Sequence, residues 1–439
     1  MTKHSSSSRA YQLDRAHVFH SWSAQAALDP MVIAGGAGVE VWDDEGTRWL
    51  DFSSQLVNVN IGYQHPAVIE AITRQAATLV TVAPAHANLA RGEAAARILA
   101  KAGGHFGSVF FTNAGADANE NAIRMARLVT GRDKVLSTYR SYHGNTGAAI
   151  VATGDWRRQP NEYATGHAHF FGPFLYRSEF WAATPEEESA RALHHLRRVI
   201  ESEGPATIAA LLLETVPGTA GVLVPPPGYL EGVRALADEF GIVLIFDEVM
   251  AGFGRTGEWF AWQGFGVEPD LITFAKGVNS GYVPLGGVVI SESIASAFAD
   301  RVFPGGLTYS GHPLAAAAAV AAIDAMEAED VIGNAKRIGE DVIGPGLAAL
   351  ADAHPMIGDV RGLGVFWALD LVVDRETRQP VSPTTMGAIK RALIAKGLLP
   401  FISENRIHVV PPCVITPDEA RRGLAIIGEA LGEVEATLR

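Results

Sequence analysis

Residues 244–281 have the sequence LIFDEVMAGFGRTGEWFAWQGFGVEPDLITFAKGVNSG. Two apolar runs in this stretch are typical of buried strands, and they end at Asp247 and at Lys276. The chain between these residues is long enough for a crossover connection, as in a parallel sheet. Because ligands of parallel α/β sheets bind at the carboxyl ends of the strands, Asp247 and Lys276 are candidates for one active site.

The same alternation of apolar runs and helical patterns extends to both sides of this stretch. Strands are predicted at 108–113, 134–139, 148–153, 207–215, 241–249, 270–275 and 285–291. Continuous apolar strands separated by helices predict an α/β fold, with a large, doubly wound and mostly parallel sheet covered on both faces. We expect this large domain to occupy residues 66–325.

The two ends of the chain differ from this pattern. Residues 326–439 predict a smaller α+β domain, with helices at 330–352, 383–396 and 416–437. Residues 1–65 predict an N-terminal arm that completes part of the small domain, and 37–53 read as a β-hairpin with a glycine-containing turn. The polar first ten residues, MTKHSSSSRA, are predicted to be disordered.

Composition excludes several classes of partner. The 439 residues carry a net charge of −13 and no block of Lys and Arg, so a nucleic-acid partner is not expected. No apolar run reaches the ~18 residues that span a bilayer, and the N-terminus lacks a secretory signal, so no membrane association is expected. The single cysteine, Cys413, cannot form an internal disulfide. These features predict a cytoplasmic protein.

A candidate phosphate site lies in FFTNAGADANENAIRMAR, residues 110–127. A predicted strand ends at Asn113 and a helix follows a turn of small residues that includes Gly115 and Ala116. Free N–H groups and the helix dipole at such a terminus favour an anion. The alternative is an ordinary loop in which Asn113 or Asp117 caps the helix.

The lysine and the acid suggest a definite chemistry. A lysine at the end of a buried strand is costly to charge, so Lys276 is a candidate for Schiff-base formation. Asp247 needs a cation or a protonated heterocycle as its partner. Tyr142, in a loop after the strand at 134–139, could stack on a planar cofactor. The alternative is a structural salt bridge between Asp247 and Lys276.

Other motifs give weaker signals. Gly252–Gly257 matches G-x-G-x-x-G, which would favour a nicotinamide-dependent dehydrogenase, but a helix does not convincingly follow it. His167 and His169 form an H-x-H pair, and neither H-E-x-x-H nor C-x-x-C occurs in the chain. No metal site is therefore predicted.

The stretch LIFDEVMAGFGRTG…PDLITFAKG resembles the signature of the class III (ω-) aminotransferases, pyridoxal-phosphate enzymes of fold type I. The resemblance extends from about Phe19 to the C-terminus. It implies that Lys276 forms the Schiff base with pyridoxal 5'-phosphate and then moves the substrate proton. It also implies that Asp247 pairs with the pyridine nitrogen, so that the ring can accept electrons.

The remaining cofactor contacts are also implied by this resemblance. Val249 and Tyr142 would pack on the two faces of the ring, and Gly115 and Ala116 would bind the phosphate. The further contacts implied are His143, Glu214 and, from the partner subunit of a homodimer or tetramer, Thr308.

The resemblance leaves the substrate less defined. It implies an aminotransferase that moves an amino group from a terminal amine or ω-amino acid to a 2-oxo acid, pyruvate or 2-oxoglutarate, by a ping-pong mechanism. Candidate substrate contacts are Trp22, Val57 and Arg406. Thr219 stands where the ornithine branch has a glutamate, which argues against that branch. The alternative within the fold is an aminomutase.

Two short stretches point to one branch of the family. The sequences SSQLVNVNIG (53–62) and YRSYHG (139–144) resemble those of taurine aminotransferases. This resemblance favours a small ω-amino acid donor.

Overall fold

The computed structural model describes residues 8–161 and 164–438. Residues 1–7, which include most of the predicted disordered segment, lie outside the described residues. The strands are β1 (Gly35–Ala37), β2 (Glu40–Trp42), β3 (Arg48–Asp51), β4 (Phe106–Thr112), β5 (Lys134–Thr138), β6 (His167–Phe170), β7 (Ile208–Glu214), β8 (Val243–Asp247), β9 (Leu271–Phe274), β10 (Gly286–Ser291), β11 (Ile357–Leu363), β12 (Phe366–Asp374), β13 (Gln379–Pro380), β14 (Leu398–Leu399), β15 (Phe401–Ser403) and β16 (Arg406–Val409).

The helices are α1 (Arg9–His17), α2 (Ser54–Val57), α3 (Pro66–Thr78), α4 (Leu89–Ala102), α5 (Gly115–Thr130), α6 (Gly147–Ala152), α7 (Pro185–Glu203), α8 (Tyr229–Phe240), α9 (Ala261–Phe265), α10 (Glu292–Ser296), α11 (Pro313–Ala328), α12 (Val331–Ile338), α13 (Gly344–Ala353), α14 (Pro383–Ala395) and α15 (Pro417–Leu438). Helices such as α5 and α8 pack on the largest sheet, whereas α13, α14 and α15 pack against the C-terminal elements. Within the described ranges, no helix combines the length and the apolar character needed to cross a membrane.

The largest sheet has the strand order β4-β10-β9-β8-β7-β5-β6. Strands β9, β8, β7, β5 and β6 are parallel to one another, and β10 runs antiparallel to both β9 and β4. Every residue of β7, β8 and β9 is buried, which explains their continuous apolar sequences. The predicted α/β fold with a mostly parallel sheet is confirmed.

The register of the parallel strands places the polar ends of three strands in a row. Glu214 at the end of β7 pairs with Asp247 at the end of β8, and Asp247 pairs with Thr273 of β9. Lys276 follows β9 after one intervening residue. The sheet therefore brings an acid, a second acid, a hydroxyl and an amine to one edge.

Two smaller sheets contain the strands from the ends of the chain. The hairpin of β2 and β3 joins β1, and the distant β14 pairs with β3 in parallel. Strands β11, β12, β16 and β15 form an antiparallel sheet, and β13 pairs with β12. N-terminal and C-terminal segments therefore share one sheet.

Two predicted elements differ in the structure. The predicted strand at 148–153 is wrong, because these residues lie in α6. A short apolar run does not distinguish a strand from a buried helix, and here Glu120 accepts a hydrogen bond from the Ala149 N–H and so stabilises the first turn. The single helix predicted at 330–352 is divided into α12, a π-helical turn at Gly339–Ile343, and α13. Gly339 packs directly against the carbonyl of Gly364, a contact that a side chain would prevent.

Arg255 connects the segments behind the site. Its side chain is fully buried and donates to the carbonyls of Val365 and Pro411, to the Ser54 hydroxyl and to Asn60 Oδ1. Asn60 in turn donates to the Phe253 carbonyl at 2.7 Å. One guanidinium therefore joins the N-terminal segment, the loop after β8 and the C-terminal segment.

We expect Arg255→Ala to lower the free energy of unfolding by at least about 2 kcal/mol, because four buried acceptors lose their donor. Arg421→Ala is the matched control, since Arg421 is 64% exposed and pairs only with Asp418 in the same helix. Denaturant unfolding of both variants measures the difference. Equal stability of the two variants would show that Arg255 does not hold the three segments together.

Candidate active site

Asp247 is the centre of the site. Its carboxylate is 4% exposed and accepts hydrogen bonds from Asn119 Nδ2 at 2.8 Å and from the Val249 N–H at 3.0 Å. His143 Nδ1 lies 2.8 Å from Oδ2. Three hydrogen bonds satisfy this buried carboxylate and fix its orientation. At least one lone pair stays available for a protonated partner.

Lys276 lies at the carboxyl end of β9 in a left-handed conformation, with φ of 44°. Such a conformation is costly for a residue other than glycine and is often found at functional sites. Burial lowers the pKa of its amine, and the charges of Asp247 and Glu214 oppose that shift. Within 8–161 and 164–438, the amine has no ion pair or hydrogen bond. Asp247 pairs with His143, and the alternative of a salt bridge to Lys276 is not observed.

The turn before α5 has the geometry of an anion site. Helix α5 begins at Gly115, and the preceding Ala114 has no side chain that could cap it. A Cβ at Gly115 would lie 2.8 Å from Val249, so only glycine fits there. The free N–H groups of the first turn and the helix dipole favour a phosphate.

Glu214 borders the site from the neighbouring strand. Its buried carboxylate accepts from the N–H groups of Tyr142 at 2.9 Å and of Gly218 at 2.8 Å. Burial raises the pKa of Glu214, and the hydrogen bonds and His143 counteract that rise. The carboxylate therefore holds the loop that carries Tyr142 and His143.

Tyr142, Arg157 and Trp22 form an aromatic and cationic cluster. The guanidinium carbon of Arg157 lies 3.6 Å from the Tyr142 ring centre and 5.8 Å from that of Trp22. The two rings meet edge to face at 6.4 Å. Asp155 accepts hydrogen bonds from Arg157 Nε, at 2.9 Å to Oδ2, and from Nη2. Among the described residues, Arg157 Nη1 has no hydrogen-bond partner.

The other candidate residues occupy different surroundings. Val57 is buried in a left-handed conformation with φ of 59°. Arg406 pairs with Glu404 at 2.6 Å and packs against Gly221 rather than against Asp247 or Lys276. Thr308 is an exposed loop residue. Direct contacts link several other candidates, which are Gly115, Tyr142, His143, Glu214, Asp247 and Val249.

Two residues of this region were missed by sequence reasoning. Asn119 interrupts the buried apolar face of α5, which includes Ala118, Ala122 and Met125, and a polar residue in such a position could have been noticed. Arg157 lies in a 3₁₀ segment with no pattern of its own. The contact of Arg157 with Tyr142 forms only when the chain is folded, so no local sequence pattern indicates it.

Comparisons with known proteins show similarity over nearly the whole chain. The model of the family described as "Aminotransferase class-III" matches residues 23–431. The chain is 32% identical to a taurine–pyruvate aminotransferase of Bilophila wadsworthia over 96% of this chain and 97% of that protein. It is 33% identical to a putrescine–pyruvate aminotransferase of Pseudomonas aeruginosa, over 93% and 91% of the two chains.

A solved structure extends the comparison to the fold. The taurine:2-oxoglutarate aminotransferase from Bifidobacterium kashiwanohense, in complex with PLP and glutamate, superposes with a TM-score of 0.94 at 42% identity. The match covers 97% of this chain and 98% of that one.

We expect the Lys276 amine of the cofactor-free protein to become reactive toward an acylating reagent at lower pH than an ordinary lysine, because burial lowers its pKa from 10.5. Peptide-resolved acetylation rates, measured from about pH 6 to 11 so that the range brackets a lysine titration, compare Lys276 with the exposed Lys390. The expectation would be contradicted if the acetylation rate of Lys276 reached half its maximum at the same pH as that of Lys390 or at a higher pH.

Proposed function

The chain belongs to the class-III aminotransferase family, and from this premise we propose that Lys276 is its catalytic amine and that Arg157 recognises an anionic head group on the donor. The protein is a pyridoxal-phosphate enzyme that transfers an amino group from an amine donor to a 2-oxo acid. The contact of Arg157 with Tyr142 carries the donor assignment.

The residues of the site fit pyridoxal phosphate. The uncapped first turn of α5 at Gly115 and Ala116 suits the phosphate. The carboxylate of Asp247, with a lone pair free, suits the ring nitrogen. Within residues 8–161 and 164–438, neither the Lys276 amine, which would meet the aldehyde, nor the buried His143 Nε2 has a hydrogen-bond partner. Val249 and Tyr142 would pack on the two faces of the ring.

When bound, pyridoxal phosphate supplies an aldehyde that condenses with amines and a ring that accepts electrons. Lys276 moves the proton of the substrate carbon, for which a neutral amine is required, and the lowered pKa of Lys276 favours that form. Asp247 keeps a proton on the ring nitrogen through its negative charge. Glu214 holds the Tyr142 loop by its two hydrogen bonds.

The donor proposal rests on charge. Arg157 is held by Asp155 on one edge of its guanidinium, and Nη1 on the other edge, which has no partner among residues 8–161 and 164–438, would bind a carboxylate or sulfonate. Trp22 and Tyr142 flank the guanidinium and shield it from water. A small ω-amino acid such as taurine or β-alanine combines an amine with such an anion. Two of the similar proteins named above are taurine aminotransferases, which supports this class of donor.

Arg406 and Val57 have secondary places in this proposal. Arg406 already pairs with Glu404, and we therefore assign the anionic group to Arg157. The buried Val57 contributes to the wall of the donor pocket. Pyruvate or 2-oxoglutarate is the acceptor, and its carboxylate uses the same guanidinium in the second half of a ping-pong cycle.

A homodimer completes the proposed site. Thr308 of one subunit would reach the phosphate bound by its partner. Support comes from the exposed apolar side chains of Val302, which is 86% exposed, and Tyr309, which is 60% exposed, in the same loop. A cytoplasmic location is part of the proposal, supported by the single, buried and unpaired Cys413.

We expect Lys276→Ala to reduce the transamination rate by about 10³-fold or more, because both the amine that holds the cofactor and the group that moves the proton are lost. The variant still binds pyridoxal phosphate non-covalently, and borohydride no longer attaches the cofactor to the protein. Lys390→Ala is the control. A borohydride-stable adduct in Lys276→Ala would contradict the assignment.

We expect Arg157→Gln to raise the KM for taurine or β-alanine by about 10- to 100-fold, since a charged hydrogen bond is lost. The KM for putrescine, which has no anionic group, should stay unchanged or fall. Arg157→Lys tests whether charge alone suffices. Arg198→Gln, at an exposed site on α7, controls for the change of net charge. An equal rise of KM for both kinds of donor would contradict the role of Arg157.

A further inference from the structure

We propose that Asn119 is a positioning residue for the cofactor and acts through Asp247. This inference rests on the proposed role of Asp247 and extends it to a residue of α5. Asn119 is 1% exposed and donates from Nδ2 to Asp247 Oδ2 at 2.8 Å. The same Nδ2 donates to the carbonyl of His143 at 2.8 Å, and Oδ1 accepts from the Thr273 hydroxyl at 2.8 Å.

The chemistry of these neighbours fixes the orientation of the amide. The Asp247 carboxylate and the His143 carbonyl only accept hydrogen bonds, so both require the NH₂ end of Asn119. The Thr273 hydroxyl then donates to the oxygen end. A rotated amide would place its oxygen against two acceptors at once. Asn119 is therefore held as a donor toward Asp247 before any cofactor binds.

Asn119 also joins the elements that contact opposite ends of the proposed cofactor. It lies one turn after Gly115 on α5, the helix whose first turn faces the phosphate. Asp247 belongs to β8, which would meet the ring nitrogen, and Thr273 belongs to β9, which leads to Lys276. One turn of α5 separates Gly115 from Asn119, and Asn119 binds Asp247. This rigid turn of backbone therefore sets the distance between the phosphate turn and the acid.

The surroundings of Asn119 are apolar, apart from the polar groups that it binds. Its neighbours on the same buried face of α5 are Ala122, Ile123 and Ala126. An amide in an apolar face is costly unless each of its groups has a partner, and here each has one. In the part of the chain that the structure describes, His143 is the second side chain on Asp247, and its Nε2 has no partner. Asn119 is the contact that links Asp247 to the helix.

The test compares the binding of two probes by the wild-type chain and two variants. The probes are pyridoxal phosphate and its deaza analogue, in which a C–H group replaces the ring nitrogen while the aldehyde and phosphate are kept. The apparent dissociation constants are measured by equilibrium dialysis with the wild-type chain, Asn119→Ala and Asn121→Ala. Asn121 is the matched control, because it is 5% exposed on the same helix and, among the described residues, its amide donates to the Asp117 carbonyl and not to Asp247.

We expect the wild-type chain and Asn121→Ala to prefer pyridoxal phosphate over the deaza analogue. In Asn119→Ala the affinity for pyridoxal phosphate should fall about tenfold, the size expected for one hydrogen bond to a charged group, while the affinity for the analogue changes little. An equal loss for both probes would show a structural role and overturn the inference, as would an unchanged preference. No preference in the wild-type chain would overturn the role of Asp247 itself.

A second pair of variants covers the case in which Asn119→Ala fails to fold. Thr273→Val removes the hydroxyl that orients the Asn119 amide but keeps the shape of the threonine side chain. Thr273→Ser keeps the hydroxyl. We expect the preference for pyridoxal phosphate to fall in Thr273→Val and to be retained in Thr273→Ser. The same preference in both variants would overturn the inference.

Discussion

The buried carboxylate of Asp247 imposes the main constraint on this structure. A charge at the end of a central strand is stable only when donors from other parts of the chain reach it. Those donors come from α5 through Asn119, from the loop after β5 through His143, and from the Val249 backbone. The positions of α5 and of the Tyr142 loop therefore depend on this one group. Glu214 fixes the same loop from the next strand.

Lys276 is positioned by backbone geometry rather than by polar partners. Its left-handed conformation is followed by Gly277, where a Cβ would lie 2.4 Å from the Asn60 amide. Asn60 is bound by Arg255, which also holds the C-terminal segment. The strain at Lys276 is thus supported by contacts between distant parts of the chain. A desolvated amine that has no partner in the described part of the chain is suited to react with an aldehyde.

Much of the site was predictable from the sequence because its parts follow strands. Asp247 and Lys276 terminate apolar runs, and Gly115 lies in a turn between a strand and a helix, so periodicity alone indicated where each would lie. The strand predicted at 148–153 was wrong because a six-residue apolar run carries no length signal, and a side chain from α5 stabilises it as a helix. Arg157 was missed because its neighbours, Trp22 and Tyr142, are distant in sequence.

The sequence by itself determined the α/β fold, the mostly parallel sheet, and the acid and amine at its edge, because these depend on local periodicity and on the rule that parallel strands align their ends. Only the tertiary structure decided which partner Asp247 takes, that Lys276 has none among the described residues, and that Arg157 lies over Tyr142. Those facts depend on register and on long-range packing. A hydrogen bond or a desolvated charge is defined by atoms a few ångströms apart, and such distances arise only when the strands and helices are assembled.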